Sequence, residues 1–110
     1  RVDYLDDENG PFYSPVWEGA AVVVRVNRKH PFFDGVYGTL LQTESGAQAK
    51  EAVDLLLITL GREELRTKNS ETREFYRAQR VERWSPFLAS GLRTLAREFP
   101  APEAEDEVAA

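Results

Sequence analysis

The hydrophobic pattern changes period along this chain. From residue 12 to 17 apolar and polar positions alternate loosely, with Phe12, Ser14 and Val16 on one side and Tyr13, Pro15 and Trp17 on the other. A period of two with aromatic and β-branched residues predicts a strand, and Pro15, which has no N–H to give a ladder, predicts a sheet edge. Asn9-Gly10-Pro11 is a turn signal before it, and Glu18-Gly19 is a short turn after it. Residues 20–26 are a β-branched run with Val22, Val23, Val24 and Val26. Both of its faces are apolar, which predicts a second strand more buried than the first. The two runs are close enough to pair as a hairpin.

The period then lengthens. His30-Pro31 favours extended backbone at His30 and lets a helix start at or after Pro31. Phe32, Phe33, Val36, Tyr37, Leu40 and Leu41 recur every three or four residues and predict a short helix, although Gly35 and Gly38 weaken it. Residues 48–60 give the clearest helical pattern. Ala49, Ala52, Val53, Leu55, Leu56, Leu57 and Leu60 cover most of the circumference, which predicts a central helix, with Gly61 as a candidate stop. Ser70 stands where an N-cap belongs. From Phe75 through Ala78, Val81, Trp84, Leu88, Leu92, Leu95 and Phe99 the helical spacing runs straight across Pro86. One kinked helix or two helices fit this, and Ser85-Pro86 as a start signal favours two. The expected fold is α+β, with a small antiparallel hairpin or sheet packed against three to four helices. The domain spans residues 12–99, between an acidic N-terminal segment (1–11) and an acidic disordered tail (100–110).

Composition narrows the function classes. The chain has 110 residues, and 42% are hydrophobic, which suits one globular domain. No run approaches the roughly 20 apolar residues that would span a bilayer. Cysteine is absent, which removes disulfides, thiolate metal sites and cysteine catalysis. Methionine is also absent, even at position 1, which points to a fragment, a processed chain or an excised domain. The N-terminus lacks the regions of a signal peptide, so the expected location is cytoplasmic. The net charge of −5 is uneven: residues 1–10 carry −3 and residues 103–110 carry −4, leaving a body of +2.

No catalytic set emerges. The one histidine, His30, cannot make a multi-histidine metal site, and its expected role is to order a turn with Asn27 and Pro31. Asp6, Asp7 and Glu8 lack the ligand alternation and distal Glu of a calcium loop. Neither glycine-rich phosphate-binding signature is present, so no cofactor is expected in this chain. Arg73, Arg77 and Arg80 share a predicted helix face that Arg83 or Trp84 extends. That face reads as a salt-bridged surface, a protein contact or a stripe for nucleic acid. Twelve aromatic residues exceed what a domain this small hides easily. Trp17, Phe32, Phe33, Tyr37 and Trp84 are the candidate interface or core anchors.

The stretch Asn27-Arg28-Lys29-His30-Pro31-Phe32-Phe33, at the end of a valine-rich strand and ahead of a leucine-rich helix at residues 52–57, resembles a segment of bacterial and phage ATP-binding proteins. These form the superfamily of gyrase B subunits, Hsp90-type chaperones, histidine kinases and MutL proteins (GHKL). The resemblance covers residues 12–60 and implies a C-terminal or accessory domain that follows an ATPase domain. ATP and magnesium would then bind in that other domain, and no catalytic residue is carried over. The resemblance implies a non-catalytic part that couples ATP-driven closure or holds subunits together, with its own ATPase domain or a second copy as partner. A stand-alone adaptor or inhibitor, phage-encoded for instance, is the alternative. A nucleic-acid module using Arg73, Arg77 and Arg80 is a weaker one.

Overall fold

The valine run becomes the middle strand of a three-stranded sheet. In this computed structural model, which describes residues 1–98, strands β1 (Val2–Leu5), β2 (Tyr13–Glu18) and β3 (Ala21–Asn27) lie in the order β1-β3-β2. β2 and β3 are antiparallel, with Pro15 opposite Val24 and Trp17 opposite Val22, and Pro15 does sit in an edge strand. Gly19 and Ala20 make the connection, and Gly19 takes φ +62° while no described non-glycine residue has positive φ, as a type II′ hairpin turn requires. Val23, Val24 and Val26 are fully buried.

The architecture is α+β. The acidic N-terminal segment is more than an extension, because it supplies β1. That strand runs parallel to β3, with Val2 opposite Val24 and Tyr4 opposite Val26, so the sheet is mixed. Val2 and Tyr4 flank Asp3 at the period of a strand, a signal masked by the count of acids. Two of those acids have cationic partners: Arg28 clamps Asp6 through bonds of 2.7 and 2.8 Å, and Arg1 lies 3.6 Å from Asp3.

Residues 31–40 are helical, with a π-helical stretch at Phe33–Gly38. Helix α1 (Gly46–Arg66) outruns its expected end and passes through Gly61 without breaking. Gly61 lies so close to the sheet that a Cβ there would stand 2.7 Å from Pro15 Cβ and 3.3 Å from Val24 Cγ2. Yet α1 is not central. Leu57 is buried, but Leu55 is 65% and Leu56 57% exposed. A three-stranded sheet offers one face to the helix and leaves the other flank bare.

Helix α2 (Ser70–Ala78) is capped by Asn69 rather than Ser70: the Asn69 carboxamide oxygen accepts from the N–H groups of Glu71 and Thr72 at 2.9 and 3.1 Å. A π-helical stretch (Gln79–Trp84) and α3 (Ser85–Glu98) follow without a break, since Ala78, Gln79 and Ser85 all keep right-handed helical backbone. The favoured split at Ser85 is therefore replaced by one continuous helix. Ser85 N–H bonds five residues back to the Arg80 carbonyl, and this wider turn just before Pro86 gives the proline ring room that a regular α-turn would deny it. The predicted tail and Phe99 lie outside the described residues. Among the described residues no helix is long and apolar enough to cross a membrane.

The core lies between the sheet and the helices: Phe12, Tyr13, Val24, Val26, Phe32, Tyr37 and Leu57. Its aromatic rings form a chain, Phe12 to Phe32 at 5.1 Å and Phe32 to Tyr37 at 5.6 Å.

Candidate functional site

The residues of the Asn-x-x-His-Pro stretch form a rigid joint between β3 and the first helical segment. Asn27 is fully buried and uses every polar atom of its carboxamide. Its oxygen accepts from the N–H groups of Asp7 and Lys29, both at 3.0 Å, and its nitrogen donates to the carbonyls of Asp7 at 2.7 Å and Pro11 at 3.1 Å. His30 Nδ1 accepts from Phe32 N–H at 3.0 Å, which leaves the proton on Nε2 to bind the Ser85 carbonyl at 2.7 Å. Burial lowers the pKa of this neutral ring; the Ser85 carbonyl opposes that shift and the Arg93 charge adds to it. Nδ1 thus closes the joint on itself, and Nε2 ties it to the long helix. Ser85 Oγ completes the tie by accepting from Phe12 N–H at 3.1 Å and donating to the Arg80 carbonyl at 2.6 Å.

Arg80 leaves the predicted basic stripe altogether. It is 5% exposed and grips both oxygens of Glu64 at 2.9 Å, while Nη1 donates to the Tyr13 carbonyl at 2.9 Å. Its guanidinium lies 5.4 Å from the Tyr13 ring centroid. Arg77 pairs on the surface with Glu74 at 2.6 Å, and Arg73 donates to the Thr67 carbonyl at 3.0 Å. The three arginines therefore do not form one free basic face. Burial, then the Glu64 charge, pushes the Tyr13 hydroxyl up to about 12, with Arg80 opposing.

A third polar cluster joins the first helical segment to α1. Tyr37 donates to Asp54, and Lys50 bridges the same carboxylate at 2.7 Å. Burial and the bond to Asp54 raise the Tyr37 pKa. Among the described residues every fully buried side-chain nitrogen or oxygen has a partner, and no group of three His, Cys, Asp or Glu gathers into a metal-ligating set.

What the helices leave uncovered is apolar. A cavity of about 220 Å³ opens between α1 and the π-helical stretch, lined by Tyr13, Leu60, Glu63, Glu64, Tyr76 and Trp84. That volume suits one large apolar side chain and is small for a drug-sized ligand, whose pockets run to about 300–1,000 Å³. Leu60, Tyr76 and Trp84 at its mouth are all exposed, as are Leu55, Leu56 and Phe75 on the same two helices. The sheet and joint place this surface: the Arg80–Glu64 pair fixes the π-helical stretch against α1, and Gly61 lets α1 press onto β2.

Of the aromatic anchor candidates, Phe32 and Tyr37 are core, Phe33 packs against the core, and Trp17 and Trp84 are exposed. Trp84 alone lines the cavity. Leu60 and Tyr76 were outside the candidate set. Their signal was α1 itself, whose apolar circumference exceeds what a small sheet can cover. The arrangement supplies apolar contact area and one recess with acidic residues in its wall, and it commits its buried polar groups to structure. Comparison with family models, with curated proteins and with solved structures finds no match for this chain.

Proposed function

We propose that this chain is a non-catalytic protein-interaction module, whose α1–α2 face docks a protein and whose cavity accepts one of that protein's apolar side chains. The observation that carries the reading is the group of Leu60, Tyr76 and Trp84, exposed side chains that line a recess of side-chain size. Interface hot spots have this form, with aromatic anchors at the centre of a well-shaped pocket. The resemblance of the Asn27–Phe33 stretch gives the context of the proposal: an accessory or coupling domain of a larger ATP-binding protein of the GHKL type. The rigidity of the joint supports a mechanical role, since a domain that transmits closure must move as one body.

The test is site-specific photo-cross-linking in the source cell. A photoreactive phenylalanine replaces Trp84 in one sample and Asp34, on the first helical segment, in another. The expected result is a discrete protein adduct from position 84 that Leu60→Glu abolishes and that position 34 does not give. No adduct from position 84, or one indifferent to Leu60→Glu, would overturn the reading. An adduct within an ATPase domain of the same protein would establish the coupling role, whereas an adduct on an unrelated protein would favour the adaptor.

A further inference from the structure

The floor of the cavity between α1 and the long helix holds a polar atom without a partner. Tyr13 is 1% exposed, and its one hydrogen bond with a side chain runs through its backbone carbonyl, from Arg80. Its hydroxyl bonds to nothing among the described residues, where every fully buried side-chain nitrogen or oxygen has a partner. The hydroxyl is therefore the part of Tyr13 that still meets solvent, and it does so in the cavity that Tyr13 lines. We propose that this cavity is a binding site for a phenol ring, the side chain of a tyrosine on the docked protein, whose hydroxyl pairs with that of Tyr13. This rests on the reading of the recess as the seat of a partner's side chain and names that side chain.

Size, walls and charge select the ring. An apolar cavity of about 150 Å³ takes up benzene, so one of about 220 Å³ has room for a six-membered ring with a substituent at each end. Leu60, Tyr76 and Trp84 at the mouth and Tyr13 below them give it apolar and aromatic walls. Tyr13 lies against Phe12 at 4.7 Å and Tyr76 against Phe75 at 6.0 Å, not against each other, which leaves ring surface for a guest. The tip of that guest must be neutral. With both oxygens of Glu64 held by Arg80, the wall keeps the net charge of Glu63, which repels a carboxylate. The Arg80 guanidinium, 5.4 Å from the Tyr13 ring centroid, repels an ammonium or a guanidinium at the floor. A hydroxyl fits. Burial, with the Glu64 charge, keeps the Tyr13 hydroxyl protonated up to about 12, so it both donates and accepts. A phenyl ring of the same size would take water from that hydroxyl and return no bond.

The probes are N-acetyltyrosinamide and N-acetylphenylalaninamide, which differ by one oxygen and carry backbone on both sides of the ring-bearing carbon. Each is titrated into the 110-residue chain labelled with nitrogen-15, and the indole N–H of Trp84, identified by its loss in Trp84→Phe, reports binding. The expected outcome is saturable binding in the millimolar range, with the tyrosine probe tighter by about tenfold, the effect of one buried hydroxyl left unpaired. A plain apolar recess gives the opposite order, since phenyl is the more hydrophobic ring. Tyr13→Phe removes an oxygen that has no partner, so it should keep the native circular dichroism and melting temperature and lose the preference. Equal or tighter binding of the phenylalanine probe, a preference that survives Tyr13→Phe, or no saturable binding of either probe overturns the proposal. Binding of p-cresol without binding of N-acetyltyrosinamide would assign the site to a free phenol and overturn the protein tyrosine. If the preference is missing while photo-cross-linking from position 84 captures a protein that Leu60→Glu releases, the phenol site fails and the docking surface stands.

Discussion

Arg80→Leu separates a buried structural arginine from a surface one. The substitution leaves Glu64 with a side chain 8% exposed and no cation, and it strips the Tyr13 carbonyl of its donor. Breaking one side of a buried pair costs about 3–5 kcal/mol, because the remaining charge is stranded. The unpaired carbonyl adds about 1–3 kcal/mol, less whatever water restores. The leucine still packs along Tyr13 and offsets part of this, so a net loss of about 4 kcal/mol is expected. A domain of this size is stable by about 5–15 kcal/mol, so the variant gives up a large fraction of that. With a urea slope of about 1.5 kcal/mol/M the unfolding midpoint should fall by about 2–3 M. Glu64→Leu alone should cost a similar amount. The double variant strands no charge and should be less damaged than the sum of the singles by at least about 2 kcal/mol. Chemical denaturation of all four proteins closes the cycle. A loss under about 1 kcal/mol for Arg80→Leu, the range of an ordinary surface substitution, would refute the argument, as would additive singles.

The other predictions are local. Gly61→Ala would gain about 1 kcal/mol in an open helix, but here the new methyl meets Pro15 Cβ at 2.7 Å. Overpacking costs about 1–3 kcal/mol, so the melting temperature should fall, and a rise would contradict the close approach. His30 is held neutral with its pKa below the ordinary 6.5, so on acidification the unfolded chain takes up the proton first. Stability should therefore decline as pH drops below about 6.5 towards the lowered native value. In His30→Asn the melting temperature should lose that slope between about pH 7 and 5.5, and an unchanged slope would assign it elsewhere. Asn69→Ala should cost about 1 kcal/mol in thermal unfolding through its lost cap, while Ser70→Ala costs less.

The hairpin, the edge position of Pro15 and the burial of the valine strand were legible because each rests on a local signal: period, a missing N–H, β-branched content. β1 was obscured because its alternation, Val2-Asp3-Tyr4-Leu5, is short and sits among acids, and the partner of one of them, Arg28, is distant in sequence and reaches Asp6 only in the folded chain. The fate of Pro86 was equally hidden. Ser-Pro starts many helices, but here a wider turn lets an existing helix continue, and no local pattern distinguishes the two. Arg80 shares the helical spacing of Arg73 and Arg77, but it stands where the long helix meets α1 and β2, and only the tertiary packing that brings Glu64 and Tyr13 to it marks it as buried. The apolar circumference that holds Leu56 and Leu60 predicts a central helix only where neighbouring elements cover every side of it. The number of strands decides that, and it is a tertiary fact.

The buried polar groups bear on the proposed role beyond stability. Asn27 binds the N-terminal loop, His30 binds Ser85, Ser85 binds Arg80, and Arg80 binds Glu64 on α1. These bonds join the sheet joint, the long helix and α1 into one frame, with the cavity of Tyr76 and Trp84 at one end. A pocket held this way loses little conformational entropy when a side chain enters it, which leaves more of the contact energy for affinity. It also means that a load applied at the docking face reaches the strand-to-helix joint without passing through a loop. The same frame accounts for the exposed apolar surface: the core and the buried polar bonds form without covering Leu56, Leu60 or Trp84.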